Sequence, residues 1–146
     1  MDRLPQPWPA PPSVGARRYL GEDDALLVVS LPDGTFVGIV VWKRTGGSAS
    51  LGGCFEIGIL LLPDYRGRGL GSAAQTLLAD HLFSTTLANR LEALTEVDNV
   101  AEQRALARAG FVQEGTLRGR AFVRGGWRDA LVYSRLRSDP PPSERR

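Results

Sequence analysis

One stretch of the sequence, residues 60–74, constrains the fold more than any other. It reads Leu-Leu-Leu-Pro-Asp-Tyr-Arg-Gly-Arg-Gly-Leu-Gly-Ser-Ala-Ala, which is the end of an apolar strand, a polar turn, alternating glycines and the start of a helix. The first N–H groups of a helix lack intrahelical partners, and the aligned peptide dipoles place about half a positive charge there. Glycines let the backbone approach an anion closely, and Arg66 and Arg68 add two cations. The stretch therefore predicts a site for a pyrophosphate-bearing cofactor.

The loop admits several interpretations. A phosphate-binding ATPase loop needs a lysine that this stretch lacks. A dinucleotide fingerprint, Gly-x-Gly-x-x-Ala, can be read from Gly69, Gly71 and Ala74, with Glu92 as the ribose contact. That fingerprint should follow its strand directly, whereas here six residues intervene. The other interpretations are the pattern Arg-x-x-Gly-x-Gly, spelled by Arg66 to Gly71, and a glycine-rich turn that binds nothing.

Composition limits the class of protein. The chain of 146 residues is long enough for one domain with a core, and its 42% hydrophobic content is typical of globular proteins. No apolar run approaches the ~20 residues of a membrane span, and no signal-peptide core precedes the domain, so a cytoplasmic protein is expected. The single cysteine, Cys54, and the single histidine, His81, favour neither a disulfide nor a metal site. A net charge of +2 gives no reason to expect nucleic acid as a partner.

Apolar periodicity and turn residues predict the elements. Residues 1–16 are expected to form a proline-rich arm, residues 17–137 a single domain and residues 138–146 a flexible tail, and the polar stretch 17–25 suggests a short helical turn. Asn99 is a good N-cap, and Glu102 three residues later completes a capping-box pattern. Strands are predicted at 26–31, 36–43, 55–62, 91–97, 112–123 and 129–136, and helices at 70–84 and 99–110.

Four segments occur together in a recognisable order. They are the strand Phe55–Ile59, the loop Arg66–Gly71, the helix pattern Asn-x-x-x-x-Arg-x-Leu-x-x-Ala-Gly-Phe from Asn99 to Phe111, and a closing hairpin around Trp127. In this combination the sequence from residue 36 to residue 137 resembles the GNAT superfamily of N-acetyltransferases, and within it the RimJ/RimL-like branch.

The resemblance implies the acyl-CoA N-acyltransferase fold, an α/β (α+β) architecture. That fold has a mixed, mostly antiparallel sheet with a strand–helix–strand crossover. Two well-defined helices are expected in this chain. Family members usually begin with a strand and two helices that cover the acceptor site. Only about 25 residues precede the first predicted strand here, so reduced N-terminal elements are expected.

The resemblance also implies that acetyl-CoA is the acyl donor. Main-chain groups at the end of the central strand would pair with the pantetheine arm, the glycine loop would bind the pyrophosphate, and two residues of the second helix would contact the cofactor. The implied cofactor-binding residues are Leu60, Leu61, Leu62, Arg66, Gly67, Arg68, Gly69, Leu70, Gly71, Ser72, Asn99 and Arg104.

Transfer requires a neutral amine and a route for its proton. Glu56, the lone carboxylate of an apolar strand, is the candidate base, and Tyr133 is a candidate acid for the departing thiolate. Glu56 could instead pair with an arginine on a neighbouring strand or lie on an exposed edge. At the position of Glu102 the family branch often carries a serine, a proposed acid, whereas a carboxylate there is expected to complete the helix cap.

The leading interpretation is an N-acetyltransferase in which a primary amine, on a small molecule or a peptide N-terminus, attacks the thioester directly in a ternary complex. One alternative is a coenzyme A-binding module with weak or no turnover. Another keeps the fold but uses succinyl-CoA or an aminoacyl-tRNA as donor. The acceptor stays open, no membrane partner is expected, and a homodimer could complete a shortened acceptor site.

Overall fold

The structure, a computed structural model, describes residues 13–19, 24–45 and 53–142. Its two helices are α1 (Leu70–Thr85) and α2 (Val100–Arg108), and a 3-10 turn spans Pro63–Tyr65. Its strands are β1 (Ser13–Tyr19), β2 (Asp24–Ser30), β3 (Phe36–Thr45), β4 (Cys54–Leu61), β5 (Arg90–Glu96), β6 (Val112–Val123) and β7 (Gly126–Leu136).

These strands form one sheet in the order β1-β2-β3-β4-β5-β7-β6. All neighbours are antiparallel except β4 and β5, which run parallel and are joined through α1. A parallel pair needs such a crossover because a tight turn can only reverse the chain. The predicted mixed, mostly antiparallel sheet with one strand–helix–strand unit is therefore confirmed.

The N-terminal part differs from the prediction. Residues 13–19 were expected to belong to a proline-rich arm and a helical turn, but they form β1, which pairs with β2 along the sheet edge. Sequence patterns missed β1 because its stability comes from the ladder with β2 rather than from its own composition. Residues 1–12 and 20–23 lie outside the described residues, as do residues 46–52 and 143–146. At the other end, the expected tail begins with a turn in which Asp139 accepts a hydrogen bond from the Leu136 N–H at 2.9 Å.

The two faces of the sheet differ. Successive side chains of a strand point to opposite faces. On one face, buried residues such as Leu27, Trp42 and Leu91 form the core with Leu78 of α1 and Leu106 of α2. Both helices pack on this side, which we call the helix face. The opposite side, the open face, carries no helix from the described ranges.

Candidate active site

β4 and β5 separate at their carboxyl ends. The parallel ladder joins Cys54–Ile57 to Arg90–Ala93 and goes no further, while the rest of β4 stays paired with β3 and the rest of β5 with β7. Leu60, near the end of β4, is 64% exposed, and Leu62, just beyond the strand, is 42% exposed. Leu60 has the opposite parity to the core residue Ile57, so its side chain lies on the open face, which no helix of the described ranges covers. We call the gap between the two strands the β4–β5 opening.

The glycine loop leads from the opening to α1. Gly67 and Gly69 adopt φ angles of 72° and 69°, which are unfavourable for residues with a Cβ. Gly69 is the N-cap of α1, and no side chain caps the helix. The Ser72 hydroxyl donates to the Gly69 carbonyl at 3.1 Å rather than covering an N–H group. The first-turn N–H groups, of Leu70 to Ser72, therefore keep their capacity to bind an anion.

The two loop arginines are held differently. Arg66 donates from Nε to the Leu61 carbonyl at 3.1 Å, which fixes the turn against the end of β4. The Arg68 guanidinium lies 5.4 Å from the centre of the Tyr65 ring. The Leu62 N–H donates to the Val37 carbonyl at 2.9 Å. Of the main-chain groups predicted to face the pantetheine arm, the Leu61 carbonyl and the Leu62 N–H are thus already engaged.

The start of α2 lies beside the start of α1. The Asn99 Oδ1 accepts a hydrogen bond from the Glu102 N–H at 3.2 Å, so Asn99 caps the helix as predicted. The Asn99 N–H donates to the Glu96 carbonyl at 3.0 Å, so the Glu102 carboxylate does not complete the expected capping box. Arg104 is exposed on the same helix.

Glu102 instead faces α1. Burial raises the pKa of its carboxyl to about 7, against an opposing hydrogen bond from the Gln75 side chain. Gln75 is 1% exposed, and its Nε2 donates to the Gly71 carbonyl at 3.2 Å. Sequence reasoning missed Gln75, although a polar residue on the apolar side of α1 was the available signal. Gln75 therefore links Glu102 to the first turn of α1.

Glu56 lies one residue before Ile57, the last residue of β4 that pairs with β5, and so borders the β4–β5 opening. It is the register partner of Glu92 on β5, and its carboxylate is 3.9 Å from the Lys43 Nζ. Glu92 forms an ion pair with Arg90, with 2.8 Å between the Glu92 Oε1 and the Arg90 Nε. A shallow cavity of about 300 Å³ borders Glu56, Lys43 and Asp24. Glu56 therefore combines a basic neighbour with access from solvent.

Tyr133 and Glu56 lie on opposite faces of the sheet. Glu56 aligns with Glu92 and Tyr133 with the next residue, Ala93, so strand alternation separates the two side chains. Tyr133 is 5% exposed on the helix face, and its hydroxyl donates to the Gln113 Oε1 at 3.4 Å. The structure does not bring these two predicted residues together on one side. Glu92, on the open face with Arg90, is also poorly placed for the ribose contact of the dinucleotide interpretation.

Other reactive residues lie apart from this site. Burial raises the pKa of the Cys54 thiol, which disfavours the nucleophilic thiolate. The His81 ring packs edge-on against Trp42, with 6.2 Å between the ring centres. The described residues contain no group of three or more His, Cys, Asp or Glu side chains that could hold a metal ion. Neither α1 nor α2, the helices of the described ranges, has the length and hydropathy that crossing a membrane requires.

A mostly antiparallel sheet that opens between two parallel strands, with a glycine-rich helix start beside the opening, defines the class of acyl-CoA N-acyltransferase folds. The sequence profile of the acetyltransferase (GNAT) domain matches residues 6–112, so this chain belongs to that family.

Individual relatives agree with this assignment. The chain is 32% identical over 83 residues to the probable N-acetyltransferase YjcK of Bacillus subtilis, covering 57% of this chain and 46% of that protein. It is 29% identical over 76 residues to the spermidine N(1)-acetyltransferase of Escherichia coli K12, covering 52% of this chain and 41% of the relative. Mycobacterium smegmatis RimJ, solved in complex with CoA-disulfide, superposes with a TM-score of 0.73 and 29% identity over 83% of this chain and 57% of that chain. The chain thus spans less than half the length of these two curated relatives.

Proposed function

We propose that this chain is an acetyl-CoA-dependent N-acetyltransferase that acts on a primary amine, of a small molecule or a peptide N-terminus, by direct attack within a ternary complex. The observation that carries the proposal is the β4–β5 opening with the uncapped start of α1 beside it. The first feature provides room for a thioester between two strands, and the second provides N–H donors for a pyrophosphate. The relatives named above support the same activity.

The residues present fit coenzyme A. The N–H groups of Leu70 to Ser72 and the guanidinium of Arg68 would hold the pyrophosphate, and Gly67 and Gly69 supply the backbone conformation that aims those N–H groups outward. The exposed edge of β4 would hold the pantetheine arm. Asn99 and Arg104 of α2 would flank it on the helix face. When bound, the cofactor supplies an activated thioester.

The two faces of the sheet suggest separate approaches for donor and acceptor. The loop, α1 and α2 all lie on the helix face, whereas Glu56 lies on the open face. An amine arriving from the open face would meet Glu56, which accepts its proton and passes it to solvent. The thiolate departs on the helix face, where Tyr133 and Glu102 are the candidate proton donors. Proton removal and thiolate release would therefore not compete for the same space.

Calorimetric titration tests the donor site. We expect the purified protein to bind acetyl-CoA and coenzyme A but not NAD. Gly69→Glu should abolish binding without unfolding the domain, because it places bulk and negative charge at the pyrophosphate site. Gly34→Glu is the matched control, since Gly34 also has a positive φ, 89°, and open space around it in the β2–β3 turn. Retained affinity in Gly69→Glu, or binding of NAD instead, would overturn the assignment of the loop.

Turnover then separates the enzyme from its alternatives. Acetyl-CoA binding without acetylation of any amine would favour a coenzyme A-binding module. A preference for succinyl-CoA would mean that the same site uses a different acyl donor. Salt-sensitive binding of aminoacyl-tRNA without coenzyme A binding would mean that the donor is a tRNA. The proposal also includes a cytoplasmic location and a homodimer in which the second subunit completes the acceptor site. Sedimentation velocity of the purified protein tests the dimer.

A further inference from the structure

The hairpin formed by β6 and β7 extends beyond the rest of the sheet. The ladder between β7 and β5 ends where Ala130 pairs with Glu96, whereas the ladder between β6 and β7 continues to the pair Val123 and Gly126. The outer part of the hairpin is therefore a two-stranded ribbon with no third strand of the described ranges beside it. We call this ribbon, residues 117–129, the hairpin arm.

Positive charge is concentrated on the hairpin arm. The whole chain has a net charge of +2, but the arm holds four arginines and only one acidic residue, Asp129. Within the part of the chain that the structure describes, no carboxylate lies within ion-pair distance of Arg118, Arg120 or Arg128. All three residues are exposed. Their guanidinium groups are therefore available to an anionic partner.

The fourth arginine, at the turn of the hairpin, is already paired. The Arg124 Nη2 lies 2.9 Å from the Glu96 Oε2 and 4.0 Å from the Asp98 Oδ2. This pairing holds the turn against the end of β5 and compensates part of the negative charge of the two carboxylates. Asp129 is held separately, since its Oδ1 accepts the Gly119 N–H at 2.8 Å. The arm is thus fixed to the sheet through its acidic neighbours, and these contacts do not use the other three arginines.

Two aromatic side chains are exposed on the same arm. Phe122 is 62% exposed and Trp127 is 69% exposed. They are register partners, and their rings pack edge to face with 5.3 Å between centres. This contact restricts the rotation of both rings while most of their surface stays open to water. An exposed flat ring offers a stacking surface to a nucleobase, and such stacking accepts any base because every base has a π face.

Arginines beside exposed aromatic rings match one kind of polyanion best. The phosphates of single-stranded nucleic acid bind guanidinium groups through paired N–H donors, and its unpaired bases stack on aromatic side chains. A base-paired duplex keeps its bases stacked on each other, so the two rings would lack a partner. An acidic peptide would satisfy the arginines but would bring no base to the rings.

We propose that the hairpin arm binds single-stranded nucleic acid, with Arg118, Arg120 and Arg128 on its phosphates and Trp127 stacked on a base. Neither contact reads the sugar, so the shared chemistry is that of RNA and DNA, and the experiment separates the two. The glycine loop before α1 is a different anion site, since its donors are main-chain N–H groups of a helix start. The inference goes beyond the proposed acetyl transfer and does not depend on it.

The test is fluorescence anisotropy of the full chain with a labelled single-stranded RNA dodecamer of mixed sequence, over a range of salt concentrations. Three neutralised phosphates predict a slope of about −2 when the logarithm of the binding constant is plotted against the logarithm of the salt concentration. The double variant Arg118→Gln/Arg120→Gln should reduce this slope to about −0.7, because one phosphate contact remains. Trp127→Ala should weaken binding about tenfold and leave the slope unchanged, because stacking is not an ionic contact.

The control variant is Leu87→Glu/Arg108→Gln. It changes the net charge by the same amount as the double variant, at two exposed positions outside the hairpin arm. It should keep the affinity and the salt slope of the natural chain. An equal loss in this control would mean that only the net charge of the protein attracts RNA, and it would overturn the inference.

Competitors identify the ligand and the site. Saturating coenzyme A should leave RNA binding unchanged, whereas displacement of the RNA would locate it at the glycine loop and overturn the inference. Single-stranded DNA that competes as well as RNA of the same sequence would show that the arm binds both, and weaker competition by DNA would assign the arm to RNA. Stronger competition by an RNA duplex, or by a nonapeptide with four glutamates, would overturn the inference.

This inference and the proposed function fail separately. Acetyl-CoA binding without RNA binding rejects the nucleic-acid surface alone. RNA binding that depends on Trp127, in a chain that does not bind acetyl-CoA, upholds the surface and rejects the transferase.

Discussion

At the scale of single residues, two carboxylates beside the β4–β5 opening differ in what surrounds them. Glu56 is open to solvent and has Lys43 at 3.9 Å. Glu102 is packed between α1 and α2, and the group that reaches it is the neutral amide of Gln75. A carboxylate that water reaches can pass a proton on to solvent, whereas a desolvated carboxyl such as that of Glu102 tends to keep its proton. The two residues therefore suit opposite roles in proton transfer.

Glu56→Gln tests the proposed base. We expect turnover at neutral pH to fall about a hundredfold, because the amide cannot take the proton of the amine, while the affinity for acetyl-CoA stays the same. Steady-state kinetics and calorimetry measure the two quantities. Glu92→Gln provides the comparison, since this register neighbour is already paired with Arg90 and should cost far less. A natural rate in Glu56→Gln at every pH would point to proton loss through water.

Glu102→Gln tests the desolvated carboxyl through stability. The pKa of Glu102 is raised from 4.5 to about 7, so the folded chain holds a proton that the unfolded chain releases. This contribution is full below pH 4.5 and is lost as the pH rises through about 7. Because the side chain is only half-buried, we expect the variant to be more stable than the natural chain by about 1 kcal/mol at pH 8 and equal to it near pH 4. Urea unfolding at both pH values measures the difference, and a pH-independent difference would contradict it.

At the scale of elements, the site depends on how closely β3 supports β4. A Cβ at Gly38 would overlap the Leu60 carbonyl oxygen and stand 3.0 Å from the Leu61 Cα. Glycine is required here by close approach, since no positive φ is recorded for Gly38. The end of β4, which borders the proposed cofactor site, is thus positioned by a close contact with β3.

Gly38→Ala should displace the end of β4. We expect a loss of about 2 kcal/mol in the free energy of unfolding, from overpacking, and weaker coenzyme A binding, although residue 38 lies on β3 and is not one of the proposed cofactor-binding residues. Gly115→Ala is the matched control, because Gly115 also lies in a strand, has no positive φ, and has open space where its Cβ would stand. Chemical denaturation and calorimetry distinguish the variants. Equal stability of the two would show that the sheet relaxes at Gly38 without cost.

At the scale of the whole molecule, one arginine joins strands that are distant in the sequence. Arg90 of β5 contacts Glu92 on its own strand and reaches over β7 to Glu114 of β6, with N–O distances of 2.6 and 2.8 Å to the two Glu114 oxygens. The Ser134 hydroxyl of β7 donates to Glu114 as well. The hydrogen bonds from Arg90 and Ser134 lower the pKa of Glu114 to about 2.

Glu114→Gln should therefore reduce stability at neutral pH. A lowered pKa contributes stability above its ordinary value of 4.5, and this is lost as the pH falls towards about 2. Since Glu114 is largely exposed, we expect a loss of about 1 kcal/mol at pH 7 and little difference near pH 2. Unfolding in urea at the two pH values measures it, with Asp64→Asn, an exposed carboxylate of the 3-10 turn, as the control. An equal loss at both pH values would exclude the ion pair as its source.

Sequence patterns located both helices, six of the seven strands and the glycine turn before α1, because those signals act over a few residues. The glycines that require positive φ, the Asn99 cap and the apolar spacing of α1 each determine structure within one or two turns of the chain. The prediction that the Glu102 carboxylate completes the helix cap was wrong because its actual contact is not local. Its partner, Gln75, belongs to another helix, and no local pattern states which side of α2 will pack on α1.

By itself, then, the sequence determined where both helices and the six later strands lie and that a helix start would offer N–H donors to an anion, since both follow from local backbone chemistry. Only the tertiary structure decided that Glu56 and Tyr133 lie on opposite faces, that residues 13–19 form an edge strand, and where the β4–β5 ladder stops. These outcomes depend on register and on contacts between residues far apart in the chain. A shift of one residue in the register of a strand would move all of its side chains to the opposite face of the sheet without altering any local sequence pattern.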